Sequence, residues 1–339
     1  MKRKVILLGA SKTNFLSIEE FSKQNHTQII VVDGNKENVA RIKRRLNCQA
    51  FYYDIKNDRE QIYKLALKKK ISGIFSFNDH GLKTASYISQ KLNLHGISMA
   101  STLASLDKGV MRDVWRHSDI TQPEFSIIKK ENEVLDFVNK VGFPIVIKPT
   151  DCGGGGRGVY VITSQVEIKV GYEFAKKVSS NNDRLIVEKF IYGIETSVEV
   201  VYINGNLNLI AYSEKDKPNV NTRVATHIFY PGKFNKTILS KIEDTSKSIM
   251  ESLGLHNWMG HIEFIINNEE EVYAIEIGAR VGGGHTFHPI ASHVAGFSYP
   301  QLILKIINRQ YENIPVAKNS GSACYSFITT TDSGLFKNI

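Results

Sequence analysis

The sequence predicts a mixed α/β and α+β protein: a parallel-sheet unit at the N-terminus, then a larger part rich in antiparallel strands. Three observations carry this. Residues 1–97 alternate short apolar runs with polar, helix-like stretches, the rhythm of a parallel sheet covered by helices. From residue 194 onward strand patterns dominate instead. With 339 residues the chain has room for two or three domains, at roughly 150 residues each, and for a core that needs no disulfide or metal staple.

In order along the chain, Val5–Leu8, Gln28–Val32, Ala50–Tyr53 and Gly73–Phe77 read as strands, and the stretches near 35–46, 58–70 and 80–92 as helices. The first turn, Gly9-Ala10-Ser11-Lys12, lacks the GxGxxG dinucleotide fingerprint. Asp33 follows the second strand, either as a ligand contact or as part of an Asp33-Gly34 turn. Residues 98–118 look helical, with Asp107-Lys108 in the middle, and Pro123 breaks the pattern. Strands follow at Glu124–Ile128, Pro144–Lys148, Val159–Ile162 and Leu185–Glu188, with helices at 131–140 and near 164–178. The remainder reads as strands at 195–203, 207–213 and 222–229, a helix over 235–253, a hairpin at 260–278, helices near 285–295 and 299–308, and a last strand at 322–329.

Composition excludes several function classes. Cys48, Cys152 and Cys324 are widely spaced with no CxxC, which rules out a disulfide framework and points to a reducing cytoplasm. No apolar run approaches the ~18 residues of a membrane span, and Val5–Leu8 is too short for a signal peptide. The net charge of +9 admits nucleic acid or a small polyanion. The basic clusters Lys43-Arg44-Arg45 and Lys68-Lys69-Lys70 fall at helix ends, where cations suit the dipole, and no aromatic residues interleave with them. Nucleic acid is therefore disfavoured, and a polyanionic small molecule such as a nucleotide stays open.

Four segments carry chemistry. In the first, Lys148 precedes Gly153-Gly154-Gly155-Gly156-Arg157-Gly158. Consecutive glycines cost conformational entropy, but they let backbone N–H groups lie against a phosphate chain. Strand, glycine turn, strand is a flap rather than a Rossmann turn, and no Walker lysine follows. A merely flexible hairpin tip is the alternative. In the second, the hairpin at 260–278, period two places Ile262, Phe264, Ile266, Tyr273, Ile275 and Ile277 on one face and His261, Glu263, Ala274, Glu276 and Gly278 on the other. A four-residue loop at Asn268–Glu271 pairs Asn267 with Val272, sets Glu263 opposite Glu276 and His261 opposite Gly278. Facing like charges are destabilising. A bridging hard cation such as Mg²⁺ explains them; a shared proton or a solvent-facing pair are the other options. In the third, Gly278-Ala279-Arg280-Val281-Gly282-Gly283-Gly284-His285, Arg280 suits a carboxylate or acyl phosphate, or a salt bridge to one of the glutamates, and His285 reads as a loop histidine. The fourth, Glu188-Lys189-Phe190-Ile191 through Glu195 and Glu199, is weak on its own.

Together these segments resemble the ATP-grasp superfamily over residues 98–285. Leu92-Asn-Leu-His-Gly96, Leu106-Asp107-Lys108 and Thr121-Gln-Pro123-Glu-Phe125 are similar to a recurrent run of that family. The resemblance implies a pre-ATP-grasp (Rossmann-like) domain at 1–97 and a two-lobed ATP-grasp domain at 98–339. Its linker helix and ATP lid lobe would span 98–190, and its large antiparallel lobe with the metal site 191–339. It implies that Lys108 and Lys148 contact ATP phosphates under the loop of Gly153, Gly154, Gly155, Gly156, Arg157 and Gly158. Glu188, Lys189 and Ile191 would form the adenine hinge, and Glu195 would bind the ribose. Glu263 and Glu276 would hold Mg²⁺ (or Mn²⁺), with Arg280 and Lys148 as the catalytic cations. The implied activity is an ATP-dependent carboxylate–amine ligase working through an acyl phosphate.

Departures from the pattern qualify this. Gly278 stands where the family commonly has an Asn metal ligand, so that ligand would be absent or supplied by His261 or water. The Gly-Gly-Gly-Gly-Arg-Gly run resembles biotin carboxylases, but their Gln-Val-Glu-His stretch is replaced by Val281-Gly-Gly-Gly-His285. The Gly-Ala-Arg-x-Gly-Gly pattern, with His227 ahead of Tyr230-Pro231, is more similar to the amino-acid and dipeptide ligase branch. That branch continues some tens of residues further, which would leave the C-terminal lobe short. The implied partners are a small carboxylate, best an amino acid, and an amine acceptor, with no nucleic acid and no membrane, and with a homodimer left open. A bicarbonate-using carboxylase and a non-catalytic ATP-binding module are the alternatives. Lys215, Lys217, Arg223 and His227 would face either substrate or solvent.

Overall fold

The computed structural model describes residues 2–23, 26–46, 48–151, 155–179, 184–217 and 225–327. It contains a four-stranded parallel sheet and two antiparallel sheets, the mixed architecture that the strand and helix patterns predict. The first unit runs β1 (Arg3–Leu8), α1 (Phe15–Ser22), β2 (Thr27–Asp33), α2 (Lys36–Arg45), β3 (Gln49–Tyr52), α3 (Arg59–Lys69), β4 (Gly73–Ser76) and α4 (Asp79–Lys91). Helix α1 is additional to the predicted elements. The strand order is β3-β2-β1-β4, so the connections leave β1 in opposite directions. Alternate residues serve two cores: Ile6, Leu8, Ile30 and Val32 face one, while Val5, Leu7 and Val31 join the large core shared with the C-terminal part. The basic clusters do close α2 and α3, and Asp33 makes turn contacts, accepting from the N–H of Ala10 and of Asn35.

The expected helix over 98–118 is two: α5 (Met99–Leu106) and α6 (Lys108–His117). Asp107 breaks it, because its carboxylate accepts from the N–H groups of Gly109 and Val110 and so caps a new helix. Lys108 thereby begins α6, and Arg112 lies one turn on along the same face.

The smaller antiparallel sheet holds β5 (Phe125–Ile128), β6 (Ile145–Pro149), β7 (Tyr160–Ile162) and β8 (Leu185–Lys189), ordered β5-β8-β6-β7. Helices α7 (Asn132–Val141) and α8 (Ile168–Val178) close a separate core around Ile145, Ile147, Val187 and Tyr172. The larger sheet takes β9 (Ile194–Ile203), β10 (Asn206–Tyr212), β11 (Glu214–Asp216), β12 (His227–Tyr230), β13 (Trp258–Ile266), β14 (Val272–Gly278) and β15 (Ala323–Ser326), with α9 (Lys236–Ser252) packed against it. Strand β11 is additional to the predicted elements. A π-helical turn at Thr286–Ala291 leads into α10 (Ser292–Ala295), and α11 (Tyr299–Ile307) packs back on β4. The predicted strands at 222–229 and 322–329 each run partly outside the described residues.

The β13–β14 hairpin corrects the expected register at one end and keeps it at the other. Ile266 pairs with Val272 and Phe264 with Ala274, one step off the expected pairing, so the connecting loop is Asn267–Glu271. An extra residue, Ile275, then forms a β-bulge, beyond which Glu263 pairs with Glu276 and His261 with Gly278 as expected. The bulge flips the turn-side faces. Ala274, expected beside the carboxylates, is fully buried with Phe264, whereas Tyr273 and Ile275 leave the apolar layer.

Gly193, between β8 and β9, allows the closest backbone approach in this region. A Cβ there would sit 2.1 Å from the Ile266 carbonyl oxygen. Gly193→Ala is expected to lose about 1–3 kcal/mol of stability in urea unfolding, as overpacking against rigid backbone does. Gly283→Ala, whose Cβ meets nothing within 4 Å, is expected to be near neutral.

Candidate active site

A cavity of about 820 Å³ opens between the two antiparallel sheets, within the size range of small-molecule sites. Its apolar lining includes Pro123, Val146, Val161, Phe190, Ile265 and Ile275. Its charged lining includes Lys108, Lys148, Arg157, Glu263, Glu276 and Arg280. The β6 and β8 strands supply Lys148 and Glu188, α6 supplies Lys108, β14 supplies Glu276, and the segment just after it supplies Arg280. Lys189, Ile191 and Glu195 line the same cavity, as do Gly155 and Gly156. Gly155, Gly156 and Gly158 all have φ near +70° (71°, 66° and 72°), which suits glycine and few other residues. Gly153, Gly154 and Arg223 lie outside the described residues.

The charges are organised as a chain of ion pairs. Glu188 is 3% exposed and accepts from Lys148 Nζ at 2.7 Å and from Arg112 Nε at 2.8 Å. Burial disfavours the Glu188 charge, but the two cations outweigh it and hold the carboxyl down at about 2. Lys148 is buried, and burial, aided by Arg112 and Lys108, lowers its pKa against the pull of Glu188. The other arms of Arg112 donate to the carbonyls of Ala274 (3.1 Å) and Ile275 (2.7 Å), at the bulge. One guanidinium thus ties the bulged strand to the buried carboxylate that positions Lys148. Lys108 Nζ reaches Glu276 Oε1 at 3.1 Å.

A second cluster surrounds Glu263. Lys215 on β11 donates to Glu263 at 2.8 Å and to Glu195 at 2.6 Å, and Lys217 also pairs with Glu195. Despite burial, these carboxylates push the Lys215 pKa up. Glu263 is itself opposed by burial, yet Lys215 and His261 hold it well below the usual carboxylate range. His261 Nδ1 lies 2.7 Å from Glu199 Oε1, and Glu199 also accepts from the Gly282 N–H at 3.0 Å. Burial works against the imidazolium, but Glu199 raises the His261 pKa to about 9.

Arg280 does not pair with either glutamate. Its partner is Asp79, at the start of α4: Nε to Oδ1 is 2.8 Å and Nη2 to Oδ2 is 2.9 Å. Among the described residues no group of three or more His, Cys, Asp or Glu side chains is gathered to hold a metal. Glu263 and Glu276, paired on adjacent strands, form instead a two-carboxylate donor set of hard oxygens. That suits Mg²⁺, which is commonly held by one or two carboxylates together with substrate phosphates. Sequence reasoning missed Asp79 and Arg112. The available signals were Asn78-Asp79-His80-Gly81 at the end of a parallel strand, and the i, i+4 spacing of Arg112 from Lys108.

The family model described as carbamoyl-phosphate synthase L chain, ATP binding domain, matches residues 107–311. The D-alanine–D-alanine ligase of Bordetella petrii is 25% identical over 218 residues, covering 62% of this chain and 65% of that ligase. The chain therefore spans about two thirds of that relative's length. Among solved structures, an L-amino acid ligase from Bacillus licheniformis superposes with a TM-score of 0.83 at 18% identity, over 99% of this chain and 82% of that one. The biotin carboxylase domain of the Hydrogenobacter thermophilus 2-oxoglutarate carboxylase, solved with MgADP, ADP and bicarbonate, gives 0.78 at 17% identity, over 94% and 72%. These structural likenesses establish the fold. No described helix is long and apolar enough to cross a membrane.

Glu188 provides a direct check on the ion-pair chain. Glu188→Gln leaves Lys148 and Arg112 facing a neutral amide and is expected to cost about 3 kcal/mol or more in urea unfolding at neutral pH. The folded-state pKa is depressed from 4.5 to about 2, so the stability it contributes is present above 4.5 and is lost as pH falls toward 2. The wild type should lose stability over that window more steeply than Glu188→Gln.

Proposed function

The chain belongs to the ATP-grasp family, and on that footing we propose that it is an ATP-dependent carboxylate–amine ligase, forming an amide or peptide bond through an acyl phosphate. The observation that supports this most is the gathering of Lys108, Lys148, Arg157 and Arg280 around one cavity with the facing pair Glu263 and Glu276. Such an arrangement suits a triphosphate and a second, developing anion. The substrates we propose are a small carboxylate, best an amino acid, and an amine. We also propose residues 1–97 as the pre-ATP-grasp domain and 98–339 as the ATP-grasp domain.

In this reading the nucleotide base sits against Val146, Val161 and Ile275, beside the backbone of Lys189 and Ile191, and Glu195 takes the ribose hydroxyls. Glu188 acts through its ion pairs, holding Lys148 toward the phosphates. Gly155, Gly156 and Arg157, which line the cavity, would lie over them. Glu263 and Glu276 would hold Mg²⁺, which when bound neutralises charge on the phosphates. A substrate carboxylate oxygen attacks the γ-phosphorus, and the bond from that phosphorus to the bridging oxygen breaks, releasing ADP. The amine nitrogen then attacks the acyl carbon, expels phosphate and loses a proton. Lys108, Lys148 and Arg280 stabilise the charge that moves in both steps, so catalysis is largely positioning and electrostatics.

The test is ADP and phosphate release across a matrix of amino acids and amines with Mg²⁺, with the product identified by mass spectrometry. Release that needs both a carboxylate and an amine is expected. Release with bicarbonate and no amine would assign a carboxylase, and ATP binding without any turnover would assign a binding module. Glu276→Gln is expected to abolish Mg²⁺-dependent turnover while leaving the melting temperature within a few degrees. Lys148→Ala is expected to weaken ATP binding by about tenfold or more in calorimetry, the loss of a charge-assisted contact.

A further inference from the structure

The parallel sheet has its topological switch point between β1 and β4, and the crevice outside the carboxyl ends of such strands is where α/β sheets place ligands. Here that crevice carries Asp79. Ser76 ends β4, and the Asn78 side chain accepts from the Gly81 N–H, so α4 begins with Asp79 in its first turn. Gly9, at the end of β1, has φ +93°, and a Cβ there would meet the Asn78 side chain at 2.6 Å. The position of Asp79 is thus set by a cap, a strand end and a glycine. Its carboxylate accepts from the Arg280 guanidinium through both oxygens, at 2.8 and 2.9 Å, across 201 residues of sequence. Arg280 Nη1 donates to the Val281 carbonyl at 2.7 Å, so three of its five N–H groups are fixed. The guanidinium lies over Gly278, where a Cβ would sit 3.3 Å from Cζ. It also lines the cavity beside Glu276.

We propose that Asp79 is a positioning residue for Arg280: the N-terminal sheet completes the candidate active site by clamping this guanidinium flat over Gly278, aimed at the reacting acyl and phosphoryl oxygens. The inference rests on the ligase reading for its chemistry. Planar guanidinium–carboxylate pairing fixes both distance and orientation, which a lysine or a single hydrogen bond does not. A misplacement of about 1 Å at such a group costs on the order of 100-fold in rate. At Gly278 a Cβ would lie 3.3 Å from Arg280 Cζ, so a side chain there would press on the guanidinium by a few tenths of an ångström.

The experiment is a double-mutant cycle with Asp79→Ala, Arg280→Ala and both together. It is read by kcat and KM for ATP and by melting temperature. Asp79→Ala is expected to lower kcat by about 100-fold with KM for ATP changed less than about threefold, and to have no further effect in the Arg280→Ala background. Asp79→Glu, which keeps the charge, should recover part of the loss. Losses that multiply in the double variant, or faster turnover in Asp79→Ala, would overturn the proposal. A second readout needs no carboxylate or amine: the affinity for ADP with aluminium fluoride and Mg²⁺, a mimic of the transferring phosphoryl group. It should fall equally in either single variant and fall no further in the double. Equal affinities in all four proteins would also overturn it. Absence of turnover in the wild type, by contrast, sinks the ligase reading and leaves the calorimetric cycle to decide this one.

Discussion

The guanidinium of Arg112 is the constraint on which the site depends. A bulge leaves strand carbonyls without ladder partners, and a buried carboxylate cannot remain charged without cations. Arg112 answers both needs at once, donating to Ala274 and Ile275 on one side and to Glu188 on the other. Glu188 in turn fixes Lys148. Four elements far apart in sequence are therefore held in one electrostatic unit, with α6 as its centre. The break at Asp107 matters for this reason: it starts α6 where Lys108 lines the cavity and Arg112, one turn on, is buried against Glu188.

The same rule governs the rest of the cavity. Each of its principal carboxylates has a cation within reach: Glu276 has Lys108, Glu263 has Lys215 and His261, and Glu195 has Lys215 and Lys217. Charges of both signs can be concentrated in a half-enclosed space only because they alternate. The positive net charge that first suggested an anionic partner is partly accounted for here. Its other visible share, the basic clusters, sits in the last turns of α2 and α3.

The elements that could be read from sequence are those whose signal is local. Period-two alternation put Glu263 and Glu276 on one face of one hairpin, but their pairing was reached through a four-residue loop and holds because the Ile275 bulge offsets the longer loop Asn267–Glu271. Glycine spacing, also a local signal, marked the flap. The bulge at Ile275 was hidden, since it reflects a tertiary contact to Arg112 rather than a local preference. Asp79 and Arg112 were hidden too: their partners lie 201 and 76 residues away, and only the folded topology brings them together. Arg280 is the instructive case. Its need for an anion was legible, as a substrate carboxylate or acyl phosphate or else a nearby glutamate, whereas the anion it meets in the structure is Asp79, at the start of α4.

The bulge has a mechanical meaning as well. It divides the β13–β14 hairpin into two ladders with different registers, one next to the turn and one carrying the carboxylates, joined at a residue whose carbonyl is held by α6. A one-residue slip starting at the Asn267–Glu271 tip would have to break that contact before it reached Glu263 and Glu276. The spacing of the two carboxylates is therefore guarded by a helix that belongs to neither strand.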